Sequence, residues 1–124
     1  MNKNNIPSVE DFARARAAMK ERDLGLSEVR SNILKHFREF GLHEAFIFYS
    51  PENNLFVAHL FFLRNAQIEE SDRSGLLSEI KQKIFKELEM AGRGGRESMK
   101  VEFEFDSHEN VEANFEGDYY RRLQ

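Results

Sequence analysis

Apolar residues recur along this chain in two rhythms, and each rhythm predicts its own kind of element. Val9, Phe12, Ala13 and Met19 give a thin helical stripe over residues 8–22. Pro7 stands at its start, and Ser8-Val9-Glu10-Asp11 has the form of a capping box. Leu24-Gly25-Leu26 breaks that helix. Ser27 is the expected N-cap of a second one, carried by Val29, Ile33, Phe37 and Phe40 with Leu34 alongside, and closed by Gly41. Residues 64–73 are polar and read as a connection. Leu77, Ile80, Ile84 and Leu88 then mark a long helix over about 74–91, ended by Gly92-Arg93-Gly94-Gly95-Arg96. Residues 1–6 read as a loose tail.

The second rhythm is that of strands. Residues 43–49 and 55–63 are rich in β-favouring side chains and flank Ser50-Pro51-Glu52-Asn53-Asn54, a turn composition. A hairpin pairing Tyr49 with Leu55 sets Ile47 against Val57 and Phe48 against Phe56. Both of its faces are apolar, so either both are covered or one awaits a partner. Phe46, Phe48, Phe56 and Phe62 are the candidate seam of a homodimer. Val101, Phe103 and Phe105 alternate with Glu102, Glu104 and Asp106, and Val111, Ala113 and Phe115 alternate with Glu112, Asn114 and Glu116. Period two predicts a second hairpin, with Phe105 facing Val111, Phe103 facing Ala113 and Val101 facing Phe115. Residues 118–124 are left for a short terminal helix. The expected order is α-α-β-β-α-β-β over residues 1–124: one α+β domain, with a four-stranded, mainly antiparallel sheet and helices packed on it.

Composition narrows the function classes. The chain has 124 residues, 40% hydrophobic and 32% charged, and no cysteine. Disulfides, thiolate catalysis and cysteine-bound zinc are therefore excluded. No apolar run approaches a membrane span, and no secretory signal is visible, so a cytoplasmic protein without a membrane partner is expected. Residues 1–99 hold fifteen basic and fifteen acidic residues; residues 100–124 hold three and seven, which is the whole net charge of −4. That sign disfavours a nucleic-acid ligand and suits a basic protein.

The second hairpin would set Glu104 directly against Glu112, Glu102 against Asn114 and Lys100 against Glu116. Like charges opposed on a sheet destabilise it, and a basic partner would relieve them. Glu102, Glu104, Asp106, Glu112, Glu116 and Asp118 are thus candidate partner contacts, with Tyr119 and Tyr120 as anchors. The alternative is a polar face that serves solubility alone. Four histidines are present: His36, His43, His59 and His108. His59 lies inside an apolar strand and reads as a hydrogen-bonded interior residue. Asp106-Ser107-His108-Glu109 has the residue types of a metal or acid/base cluster, but its members are adjacent in an expected loop and diverge. The Gly92–Arg96 run lacks the Lys-Ser/Thr of a phosphate loop and ends a helix where such a loop begins one. No catalytic residue, cofactor or metal is expected.

The order of elements resembles the YezG-like antitoxins, the immunity proteins of bacterial polymorphic toxin systems. The likeness lies in Phe46-Ile47-Phe48-Tyr49, in Leu60-Phe61-Phe62, in the helix from Ile80 to Leu88, and in Val101-Glu102-Phe103-Glu104-Phe105-Asp106 with Phe115-Glu116-Gly117-Asp118-Tyr119. It covers about residues 27–120. The resemblance implies a non-enzymatic inhibitor that binds a cognate toxin, often a nuclease. It implies no catalytic residues. A self-associating module built on the aromatic hairpin is the alternative, followed by a small enzyme or ligand-binding domain using the His108 loop.

Overall fold

Capping and spacing account for most of the helices. A computed structural model describes residues 8–124, with the side chains of 17–21 excepted. The expected tail at 1–6, Pro7 and the stripe residue Met19 lie outside that description. Helix α1 (Val9–Arg22) opens on the expected capping box: Asp11 N–H donates to Ser8 Oγ at 3.1 Å and Ser8 N–H to Asp11 Oδ2 at 3.2 Å. Its described stripe residues do not pack inward, for Val9 and Phe12 are both exposed. Helix α2 (Leu26–Phe37) starts after Gly25, whose φ of 76° leaves no role for Ser27 as cap. A 3-10 turn (Arg38–Phe40) follows and Gly41 closes it at φ 102°.

Strands β1 (Leu42–Ser50) and β2 (Leu55–Phe62) form the expected antiparallel hairpin. Its register differs by one residue. Asn54 N–H reaches Pro51 O, so the loop is four residues long and Ser50 pairs with Leu55. Phe48 consequently faces Val57, and Tyr49 faces Phe56. The slip puts Phe48 and Phe56 on opposite faces of the sheet. The polar stretch after β2 is itself a helix, α3 (Asn65–Ser74), opened by Arg64 N–H donating to Gln67 Oε1 at 2.8 Å. Of its residues, Ile68 packs on the core and Ser71 is buried. Gly75, at φ 86°, separates it from α4 (Leu76–Met90).

The expected C-terminal hairpin does not form. Lys100–Ser107 is a strand, β3, but it runs parallel to β2 at the far edge of a three-stranded sheet ordered β1-β2-β3. The connection from β2 to β3 contains α3 and α4, the long crossover a parallel pair requires. Residues 108–115 are α5 (His108–Phe115), and α6 (Tyr119–Leu123) follows. The architecture is α+β with order α-α-β-β-α-α-β-α-α and a mixed sheet, in place of a four-stranded, mainly antiparallel one. Val111 and Phe115 are spaced by four, a separation common to a strand face and a helix face, so their pattern fits both. Ser107 decides between them. Its hydroxyl accepts Asn110 N–H at 3.0 Å and caps a helix.

The core lies on one face of the sheet. Ile47, Ala58 and Phe103 form one cross-strand row, Ala45, Leu60 and Phe105 the next, and Tyr49, Phe56 and Val101 a third. Val29, Ile33 and Phe37 of α2 and Ile80, Ile84 and Leu88 of α4 cover them. Phe56 and Phe62 belong to this buried face, so the proposed dimer seam of Phe46, Phe48, Phe56 and Phe62 is not one surface.

Candidate functional site

The opposite, outer face of the sheet holds the residues left over by the core. Pairing arranges them in four rows: Ser50–Leu55–Lys100, Phe48–Val57–Glu102, Phe46–His59–Glu104 and Glu44–Phe61–Asp106. Period-two alternation in β3 is as expected, with Val101, Phe103 and Phe105 inward and Glu102, Glu104 and Asp106 outward. Each row therefore runs from β1 through β2 to a charged edge.

Helix α6 covers only the last two rows. Tyr119 packs edge-on against Phe61 at 4.9 Å and in a tilted contact against Phe46 at 5.6 Å. The Arg122 guanidinium lies over Phe61 at 5.8 Å, meets Asp106 at 2.5 Å and stands 3.7 Å from Glu104. Asp118 caps the helix by accepting Tyr120 N–H at 2.9 Å. The Tyr119 hydroxyl is 2.7 Å from His108 Nδ1, and His108 Nε2 is 3.1 Å from Glu112. A ring that presents Nε2–H to Glu112 accepts the tyrosine proton at Nδ1. His43 of β1 packs against His108, the rings tilted at 48° and 4.6 Å apart. Asp106 also accepts its neighbour Ser107 N–H and Asn110 Nδ2–H. Burial acts to raise the Asp106 pKa, but the hydrogen bonds from Arg122, Ser107 and Asn110 outweigh it and hold the carboxyl below its ordinary range.

Glu112–His108–Tyr119 has the connectivity of a base-and-orienter group, but its chemistry runs the other way. Burial, with Glu44, Glu112 and Asp106 nearby, pushes the Tyr119 hydroxyl up to about 12. A nucleophile or general base needs the opposite shift. The group is a latch that fastens α6 to the sheet. Its Asp106-Ser107-His108-Glu109 segment is a strand end and a helix start rather than a hairpin loop, and Glu109 accepts Asn65 N–H at 2.8 Å. Among the described residues, no cluster of three or more histidine or carboxylate side chains is placed to hold a metal.

The expected acidic contact set is thus dispersed. Glu104 and Glu112 are not opposed; one faces Arg122 and His59, the other His108. Asp106 and Tyr119 are committed to the latch, Asp118 to its cap, and Glu116 ends α5 at φ 56° beside Arg121. Glu102 and Tyr120 face solvent, and Tyr120 is 83% exposed. Glu102 has no ion-pair partner among the described residues.

His59 and Arg122 are central to this face; the sequence pattern marks His59 as a hydrogen-bonded interior residue and gives Arg122 no role. His59 is 8% exposed, an interior residue as expected, but its Nδ1 lacks the expected hydrogen bond. That nitrogen is 3.7 Å from Glu104, beyond hydrogen-bond length. Burial lowers its pKa; Glu104 opposes the shift and Arg122 adds to it. The Phe48 ring stands edge-on to His59 at 5.8 Å and is 47% exposed. An aromatic in a strand otherwise rich in apolar residues was the available signal, but the register slip hid its face.

A cavity of about 560 Å³ runs along the free edge of β1, where Phe46 and Phe48 of the outer face meet Arg22, Asp23, Leu26 and Arg30. Its charged groups are already engaged. Arg22 meets Asp23, and Arg30 meets both Glu44 (2.6 Å) and Ala45 O (2.5 Å), closing that part of the strand edge. The arginines of the Gly92–Arg96 run are likewise structural: Arg93 lies over Tyr49 and Phe56, and Arg96 over Phe85. Among the described residues no helix is long and apolar enough to cross a membrane. Comparison with protein-family models, curated proteins and solved structures finds no match to this chain.

Proposed function

We propose that this chain is an immunity protein, an antitoxin that neutralises a cognate toxin domain by binding it. The resemblance to the YezG-like antitoxins suggests the class, and the outer sheet face offers a surface that suits it. One observation carries the reading: beyond α6, the row Phe48–Val57–Glu102 is left open beside the half-exposed carboxylate of Glu104. Aromatic and aliphatic area supplies contact, and carboxylates at the rim steer a basic partner. The docking surface is therefore this open half-face, in place of an acidic hairpin. The partner is a basic domain, and the family likeness suggests a nuclease.

The test is rescue. A toxic domain sought in the reading frame next to the gene is expressed alone and together with the chain. Co-expression restores growth in the wild type, and the double substitution Phe48→Ser, Glu102→Lys abolishes the rescue while leaving the fold intact. A toxin that kills equally in the presence of the wild-type chain refutes the function. Rescue that survives the double substitution refutes the surface.

A further inference from the structure

The chain's own C-terminus displays how the outer face holds an arginine. Arg122 lies over Phe61 and reaches the carboxylates at the end of that row and of the next, Asp106 and Glu104. One row further along stands a related set of groups without an occupant, its aromatic on β1 and an aliphatic side chain beside the carboxylate. Phe48 and Val57 supply the apolar floor, and Glu102 stands at the end of the row, two residues before Glu104 on the same strand face. Arg122 engages Glu104 only at 3.7 Å, and half of that side chain remains exposed. Beneath the junction of the two rows lies His59, whose buried Nδ1 has no hydrogen-bond partner and faces Glu104.

Resting on the antitoxin reading, we propose that the partner is recognised through an arginine seated over Phe48 and Val57, bridging Glu102 and the free side of Glu104. The floor favours arginine over lysine. A guanidinium stacks on an aromatic and offers a fork of donors to two carboxylates, whereas an ammonium is a more strongly hydrated point charge. Four cations bear on the seat from its surroundings. Lys100 stands at the end of the row above with no ion pair to Glu102, Arg122 occupies the row below, and Arg22 and Arg30, paired with Asp23 and Glu44, line the cavity that Phe48 borders. Together they disfavour a basic run, so the seat takes one arginine.

The experiment uses the isotope-labelled full chain and blocked dipeptides as probes: acetyl-Tyr-Arg-amide, with acetyl-Tyr-Lys-amide and acetyl-Tyr-citrulline-amide as controls. Saturable shifts are expected at Phe48, Val57, His59 and Glu102 with the arginine probe, weaker with lysine and absent with citrulline. Glu102→Gln weakens binding about tenfold, the loss of one charge-assisted contact. Equal response to citrulline, shifts centred elsewhere, or no shift at all overturns the seat. So does a concentration-dependent shift of the same signals in the absence of probe, which assigns the face to a second copy. The two proposals fail separately: dipeptide binding without toxin rescue leaves the seat and removes the antitoxin, and rescue unaffected by Glu102→Gln, with no dipeptide shifts, does the reverse.

Discussion

The two faces of the same three strands are held by different means. The inner face is closed by shape: α2 and α4 bury Leu60, Phe62, Ile80, Ile84 and Leu88 completely, without a polar contact among them. The outer face is closed by chemistry and only halfway, through Tyr119, Arg122 and the hydrogen bonds of His108, Asp106 and Asp118. Apolar packing tolerates no gap but needs no particular pH. A latch of charged and phenolic groups responds to both substitution and protonation. Phe62→Ala is the largest blow to the inner face, expected to cost about 3–5 kcal/mol in denaturant unfolding. A loss below about 1 kcal/mol would mean that the face is not packed as described.

The outer face breaks more gently. Arg122→Ala leaves Asp106 half-buried without its cation and uncovers Phe61, which is otherwise fully buried. The expected cost is about 2 kcal/mol, since the pair is mostly sheltered but not sealed from water. Adding Asp106→Asn removes the stranded charge and should recover part of the loss. A double-mutant cycle with no coupling between the two positions would dissolve the latch as an energetic unit.

These two faces also mark where the sequence was informative. The inner face was legible, because Val29, Ile33 and Phe37, and Ile80, Ile84 and Leu88, repeat at helical spacing, and β3 alternates cleanly. The outer face was not. Its register turned on whether the β1–β2 loop holds four residues or five, a difference of one that exchanges faces for every side chain. Its cover came from a helix whose Val111 and Phe115 satisfy strand and helix alike. Helix α3 buries little more than Ile68 and Ser71, so no apolar stripe announces it. The parallel pairing of β3 is decided by tertiary packing on α4, which no local pattern encodes.

Protonation separates the faces at both ends of the pH scale. Tyr119 is held up to about 12 in the fold, above the ordinary phenol value of 10.0. The folded state therefore holds its proton more tightly than the unfolded chain does. That contribution is complete below about pH 10 and is lost as pH rises toward 12. In acid the signs reverse. His59 is lowered from 6.5 and Asp106 from 3.8, so each favours the fold above its ordinary value. The His59 share fades as pH falls below about 6.5, and the Asp106 share below about 4. Stability of the wild type minus that of Tyr119→Phe, followed from pH 9 to 12, isolates the alkaline limb. A flat difference would show that the phenol titrates as it does in an unfolded chain.

The smallest effect on stability is expected where the proposed function is largest. Phe48→Ser removes a half-exposed ring, and Glu102→Gln removes a carboxylate with no ion pair among the described residues. Each should shift unfolding by no more than about 0.5 kcal/mol. A side chain that stabilises nothing on an otherwise economical sheet is free to be selected for contact. Rows under α6 and rows beyond it share one floor, yet only the covered rows have their charges matched by the chain itself. If Phe48→Ser instead costs as much as Arg122→Ala, the ring is a structural part of the fold and the open half-face ceases to be a docking surface. If stability holds while toxin rescue and arginine binding both fall, the contrast between the latched and unlatched halves is a contrast between self-recognition and recognition of a partner.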